Sequence, residues 1–224
     1  MYFMAKAKAS LARLLRTRGK EAFVQSLPKG ARLLDVGCGN NSPLRIKAQR
    51  PDLKYTGIDV GDWHQPIDPS KHADRYILAS KERFADEIAK LQGQFDAVIS
   101  SHNLEHCVEP AAVLGAMLSA LRSSGRLFLA FPCAESIRFP RRYGTLNFYD
   151  DKWHVRPPDF DATLAAIGAA GCSIDFFKKR YKPPVLFTAG LILEPLAAAT
   201  KRTMPAGATW AYYGFESIIW ASRP

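Results

Sequence analysis

The sequence predicts an α/β domain: a doubly wound, mainly parallel sheet of seven strands with helices on both faces. Three observations carry this. Short apolar runs alternate with stretches of helical periodicity through the first 132 residues. A glycine-containing turn, Gly37-Cys38-Gly39-Asn40-Asn41, directly follows the first apolar run. A carboxylate, Asp59, closes the second run twenty residues after Gly39.

Residues 1–29 read as a basic amphipathic helix. Lys6, Lys8, Arg13, Arg16, Arg18 and Lys20 interleave with Met4, Leu11, Leu14 and Leu15 at helical spacing. Such a helix is expected to pack its Leu face on the domain and solvate its cations; the same pattern also suits peripheral contact with an anionic membrane. Residues 31–36 form the first strand. Past the turn, Ser42 is placed to cap a helix and Pro43 fits its first position, where no hydrogen bond needs the missing N–H.

Residues 53–60 and 75–78 give the second and third strands, and 81–91 a helix. The fourth strand is 95–100, followed by a helix over 110–121 and the fifth strand over 125–131. A long connection, 133–158, then leads to a helix at 159–170 and a strand at 172–177. The last strand, 215–221, follows an apolar, Pro-broken insertion over 183–211. The organisation is thus 1–29, a cofactor-binding core at 30–132, and 133–224 as the substrate side of the same domain.

With 224 residues, 47% hydrophobic and 23% charged, the chain has the composition of a soluble globular protein. Cys38, Cys107, Cys133 and Cys172 are widely separated with no CxxC pair, so reduced thiols in a cytoplasmic setting are expected. No apolar run reaches the roughly 18 residues that span a bilayer, because Glu194 and Pro195 interrupt 185–200. The net charge of +10 attracts anionic partners without naming one.

A glycine turn at a strand's carboxyl end lets a ligand approach backbone amides, and a carboxylate ending the neighbouring strand is placed to accept hydrogen bonds from ribose hydroxyls. The run Leu33-Leu34-Asp35-Val36-Gly37-Cys38-Gly39-Asn40 resembles the first signature of the class I S-adenosylmethionine-dependent methyltransferases, whose sheet is Rossmann-like. Phe95-Asp96-Ala97-Val98-Ile99-Ser100-Ser101-His102-Asn103-Leu104-Glu105-His106 resembles their fourth-strand signature, and Gly125-Arg126-Leu127-Phe128-Leu129 the fifth. The resemblance implies S-adenosylmethionine as cofactor. It assigns Asp35, Gly37, Cys38, Gly39 and Asn40 to the methionine end, Asp59 to the ribose and Val60 to adenine. Ser101 and His102 would lie beside the sulfonium. The third glycine frequent in the family is replaced by Asn40 or Asn41, which tolerate left-handed backbone. No acid follows the third strand, leaving Ser80, Lys81 or nearby backbone to meet adenine.

For a hydroxyl acceptor, a nearby base assists proton loss, and histidine suits neutral pH. His154, in the polar and aromatic run Leu146-Asn147-Phe148-Tyr149-Asp150-Asp151-Lys152-Trp153-His154, ranks first. His106 is second, and Asp151 or Asp150 are partners; equally, His154 is a candidate to satisfy a backbone carbonyl. The run resembles segments of small methyltransferases of bacterial polysaccharide and O-antigen synthesis, which implies a sugar hydroxyl on a nucleotide-sugar or lipid-linked glycan. Arg138, Arg141 and Arg142 would then bind phosphates, and Asn147, Tyr149 and Asp150 would line the acceptor site. The basic run Lys178-Lys179-Arg180 with Lys182 flanks the apolar insertion and fits a lipid-linked acceptor.

Four alternatives remain open: a nucleic-acid methyltransferase, a nicotinamide-dinucleotide oxidoreductase, a cofactor-binding protein without transfer, and a zinc peptidase. The first lacks the Asn/Asp-Pro-Pro-aromatic run after the fourth strand. The second lacks the third glycine of G-x-G-x-x-G, where Ser42 stands. The fourth rests on the literal H-x-x-E-H match of His102 to His106, but that segment follows a parallel strand, and no metal is expected.

Overall fold

The computed structural model describes residues 14–61 and 67–224. Seven strands form one sheet: β1 (Arg32–Val36), β2 (Lys54–Asp59), β3 (Arg75–Leu78), β4 (Phe95–Ser101), β5 (Leu121–Pro132), β6 (Ser173–Lys178) and β7 (Glu216–Ser222), in the spatial order β3-β2-β1-β4-β5-β7-β6. All neighbours run parallel except β7, which is antiparallel to both β5 and β6. The strand order reverses between β1 and β4, so their carboxyl ends open a crevice at the switch point.

Side-chain alternation splits the core between the two faces of the sheet. Leu34, Val36, Ile58, Val98 and Leu129 meet Phe84, Ile88, Met117, Phe160 and Ile167 from the helices Phe84–Ala89, Pro110–Ala120 and Phe160–Ala169. Leu33, Tyr55, Ala97, Ile99 and Phe128 meet Phe23, Val24 and Ile46 from the helices Lys20–Gln25 and Ser42–Gln49. Burial on both faces is why the central strands read as continuous apolar runs.

Several expectations are corrected. Among the amino-terminal residues, Met4, Lys6, Lys8, Leu11 and Arg13 lie outside the described residues. The described cations do not form a solvated face: Arg16 pairs with Glu216, Arg18 stacks over Phe176 and Trp220, and Lys20 reaches Asp35, while Leu14 is 68% exposed. Asn41, not Ser42, is the residue before the helix, and the Ser42 hydroxyl is drawn 2.5 Å from Asp35 Oδ2 instead.

The apolar insertion is helical, with Pro184–Thr200 running through Pro195 and a second helix at Ala208–Tyr213. Gly190 lets the two pack closely, because a Cβ there would stand 2.7 Å from that of Tyr212. The first helix leaves Val185, Leu191, Ile192 and Leu196 exposed. No helix among the described residues is long and apolar enough to cross a membrane.

Candidate functional site

At the crevice, Val36 lies opposite Ile58 on one side and Ser100 on the other, which brings the ends of β1, β2 and β4 together. Gly37 has φ +74° and donates its N–H to Ile58 O at 2.9 Å. Any Cβ on it would sit 2.5 Å from Asn103 side-chain atoms, so glycine is required by both conformation and space. Asn40 and Asn41 both adopt φ +56°, the left-handed conformation Asn tolerates. Two asparagines thus make the bend where the family often uses its third glycine.

Beneath this turn Asp35 is fully buried. Its Oδ2 accepts from the Tyr55 hydroxyl at 2.8 Å and the Ser42 hydroxyl at 2.5 Å, and lies 3.2 Å from Lys20 Nζ. This carboxylate braces the turn from below rather than standing open to a ligand. Cys38 is likewise buried, and burial pushes its thiol pKa up, so the turn offers ligands its backbone and not this side chain.

Asp59, 5% exposed, ends β2 beside the turn. Burial raises its pKa to about 6, against the opposing hydrogen bonds from the backbone N–H groups of Val60, Gly39 and Gly61. The carboxylate is therefore a poorly solvated acceptor within reach of the turn itself. Val60 packs partly buried against the core, and Ala79 N–H donates to Asp59 O at 2.9 Å, which sets exposed Ser80 next to it.

Ser101 ends β4, and the next residue, His102, has φ +54°. Its Nδ1 lies 3.2 Å from Glu105 Oε1 and its Nε2 2.9 Å from Glu216 Oε1. Burial pulls the imidazole pKa down, but the two carboxylates outweigh it and raise it to about 9. For Glu216, burial pushes the pKa up, and Arg16 with His102 outweighs that, lowering it to about 2. Arg16, His102, Glu105 and Glu216 thus form a row of alternating charge with no net sum. The His102 ring packs on Trp210 and Phe215, at centroid distances of 5.1 and 6.2 Å. Beside Trp210, a groove of about 260 Å³ opens between Arg16, Gly144, Thr203, Met204 and Gly207.

The long connection folds back onto this row through the hydrogen bond from Val155 N–H to Glu105 O, 2.8 Å. That contact brings His154 beside His106, with ring centroids 4.8 Å apart. The side chain of His154 is 5% exposed, its Nδ1 is 2.6 Å from Phe148 O, and its Nε2 is 3.9 Å from Asp151 Oδ2. Since a carbonyl only accepts, Nδ1 carries the hydrogen and Nε2 keeps the lone pair. Burial lowers the His154 pKa, which keeps the ring neutral. His106 repeats the arrangement with Nδ1 3.2 Å from Trp153 O.

Three residues expected to line the acceptor site are committed inward. Arg142 forms an ion pair with Glu194 at 2.6 Å. Asn147 donates to Ile137 O and Phe139 O at 3.1 and 2.6 Å. Asp150 Oδ2 accepts from the backbone of Arg142, Leu146 and Asn147. Arg142 and Asn147 are buried and need such partners, and with half-buried Asp150 they hold the connection's shape. Arg138 and Tyr149 remain exposed. Sequence reasoning missed Lys20, Ser42 and Tyr55 around Asp35, and Arg16 and Glu216 around His102. Asn103 and Glu105 lay inside a quoted motif, without a sign that they would pack on Gly37 and His102.

Over residues 5–164 the chain matches the family model of a methyltransferase domain. It is 38% identical over 109 residues to the ubiquinone biosynthesis O-methyltransferase of Xanthomonas axonopodis pv. citri (strain 306), covering 46% of this chain and 44% of that protein. Against the protein of the same name from Pseudomonas aeruginosa (strain LESB58), identity is 33% over 108 residues, covering 45% and 44%. The chain thus spans less than half the length of these relatives. A solved S-adenosylmethionine dependent methyltransferase from Mesorhizobium loti superposes with a TM-score of 0.57 at 18% identity, covering 91% of this chain and 97% of that one. For the geranyl diphosphate C-methyltransferase from Streptomyces coelicolor A3(2), the TM-score is 0.61 at 12% identity, covering 97% and 79%. Both are likenesses of fold.

Proposed function

Because the chain belongs to the class I S-adenosylmethionine-dependent methyltransferases, we propose that it transfers a methyl group to a hydroxyl oxygen of a small acceptor. The observation that carries this reading is the buried Asp59 carboxylate set against the glycine turn; the neutral His154 Nε2 is the base we assign to the acceptor side.

When bound, the cofactor supplies an electrophilic methyl group on a cationic sulfur. Asp59 would accept hydrogen bonds from the ribose hydroxyls, the backbone of Gly37 to Asn40 would meet the methionine end, and Val60 and Ser80 would flank the adenine. The neutral row of Arg16, His102, Glu105 and Glu216 would place no net positive charge beside that sulfur. In that transfer His154 Nε2 would take the proton that the acceptor hydroxyl gives up. His102 is unsuited to that task, because its raised pKa leaves it protonated.

The relatives' name and the aromatic lining by Trp210 support a phenolic hydroxyl, and exposed Arg138 keeps a phosphate-bearing sugar acceptor as the second arm. Exposed Val185, Leu191, Ile192 and Leu196, in a chain of net charge +10, support acceptor delivery at an anionic membrane surface. The test is production of S-adenosylhomocysteine by the purified protein with catechols, nucleotide sugars and short RNA as acceptors. Turnover on a hydroxylated acceptor is expected; turnover on RNA alone refutes the reading.

A further inference from the structure

One carboxylate oxygen of Glu105 and one ring nitrogen each of His106 and His154 lie within 4.8 Å of one another. Glu105 is fully buried, and while Oε1 is taken by His102, Oε2 finds no hydrogen-bond partner among the described residues. A buried carboxylate oxygen without a donor is costly, so Oε2 calls for a partner that the described side chains do not supply.

The two imidazoles are already set for that partner. Each has its Nδ1 on a backbone carbonyl, Trp153 O for His106 and Phe148 O for His154. That leaves two Nε2 lone pairs, on rings that each bring a nitrogen within 4.8 Å of a Glu105 carboxylate oxygen. A carbonyl on the far nitrogen is the support metal-ligating histidines usually have, because it fixes both tautomer and ring orientation. A fourth donor atom is nearby, with Asp151 Oδ2 3.9 Å from His154 Nε2. His102 does not belong to the set, since both its nitrogens face carboxylates; the arrangement is therefore distinct from the H-x-x-E-H pattern in its sequence.

We propose that Glu105, His106 and His154 form a binding site for a divalent first-row transition cation of the zinc type. Two nitrogen donors favour such an ion over magnesium or calcium, which take oxygen donors. Metal–ligand bonds of about 2.0–2.2 Å put ligand atoms about 3.4 Å apart, so the site closes by up to about 1.4 Å from its 4.8 Å limit. Exposed His106 has room to turn inward. With the ion bound, His154 Nε2 would be a ligand and no longer a base, and the ion's charge would acidify an acceptor hydroxyl in its place. The site itself does not depend on the identity of the acceptor.

The test uses the full chain, stripped with a chelator and titrated with Co²⁺, followed by visible d–d absorption. Expected are intensified protein-bound bands that saturate at one equivalent, are displaced by Zn²⁺ and are untouched by excess Mg²⁺. Affinity should fall at least tenfold in both His106→Ala and His154→Ala and stay unchanged in His72→Ala. His106 is exposed, so its variant reports even where substitution of the buried His154 disturbs folding. Bands no stronger than those of the free ion, or unchanged affinity in His106→Ala, overturn the proposal. Saturable Co²⁺ binding without turnover on any hydroxylated acceptor would refute the proposed O-methylation and leave the metal site standing.

Discussion

The imidazole of His102 and the carboxylate of Glu216, 114 residues apart in sequence, meet at 2.9 Å. Arg16 closes the same carboxylate from the other side and Glu105 the same imidazole. This ties the amino-terminal segment, the end of β4 and the start of β7 into one electrostatic unit.

Its pH signature follows from the sign of each shift. His102 titrates in the fold near about 9, above its ordinary value, so its stabilisation is complete below about 6.5 and is lost as pH rises through about 9. Glu216 is lowered to about 2, so its contribution is present above about 4.3 and fades as pH falls below that. Stability should therefore decline between about pH 7 and 9.5, by an amount on the order of 2 kcal/mol, read as a falling melting temperature. In His102→Gln that slope should flatten; an equally steep decline in the variant would show that another group sets it.

Gly37→Ala should damage the turn more than a left-handed glycine alone accounts for. Gly30 has a nearly identical φ, +73° against +74°, but nothing within 4 Å of a Cβ, whereas Gly37 faces Asn103 at 2.5 Å. Gly30→Ala is expected to cost about 1–2 kcal/mol from backbone strain. Gly37→Ala should cost that plus the steric term and also weaken S-adenosylhomocysteine binding. Denaturant melts of both variants decide the comparison, and equal losses would remove the role given to Asn103.

Asp59→Asn should lower affinity for S-adenosylhomocysteine about 10- to 100-fold, the worth of hydrogen bonds to a charged acceptor. Because the wild-type carboxylate titrates near about 6, its affinity should strengthen as pH rises through that value. The Asn variant should show no such rise. Calorimetry over that range checks both, and wild-type affinity in the variant would empty the proposed ribose site.

His154→Ala should reduce kcat by about 10²–10⁴-fold, the range for a general base. Affinity for S-adenosylhomocysteine should be unchanged, since the proposed role of His154 is on the acceptor side. Full turnover in the variant would remove His154 from the reaction.

Much of the fold was legible because strand and helix periodicities are local properties. The third strand lies at the residues expected, and most other elements begin or end within one to four residues of their expected limits. The insertion escaped because Pro195 reads as a breaker, whereas the Pro184–Thr200 helix gains from packing along Ala208–Tyr213 through Gly190. In the site, Asp59 and Gly37 were legible because each is specified by its place at a strand end.

The sequence by itself determined the order of elements, the family and the strand-end position of the turn and its carboxylate, since these rest on spacing along the chain. Only the tertiary structure decided which charged side chain meets which. Asp35 turns to Lys20, Ser42 and Tyr55, Arg142 turns to Glu194, and His102 is held between Glu105 and Glu216. The physical reason is that a buried charge takes its partner from whatever the packing brings within about 3 Å, and segments distant in sequence carry no local mark of that meeting.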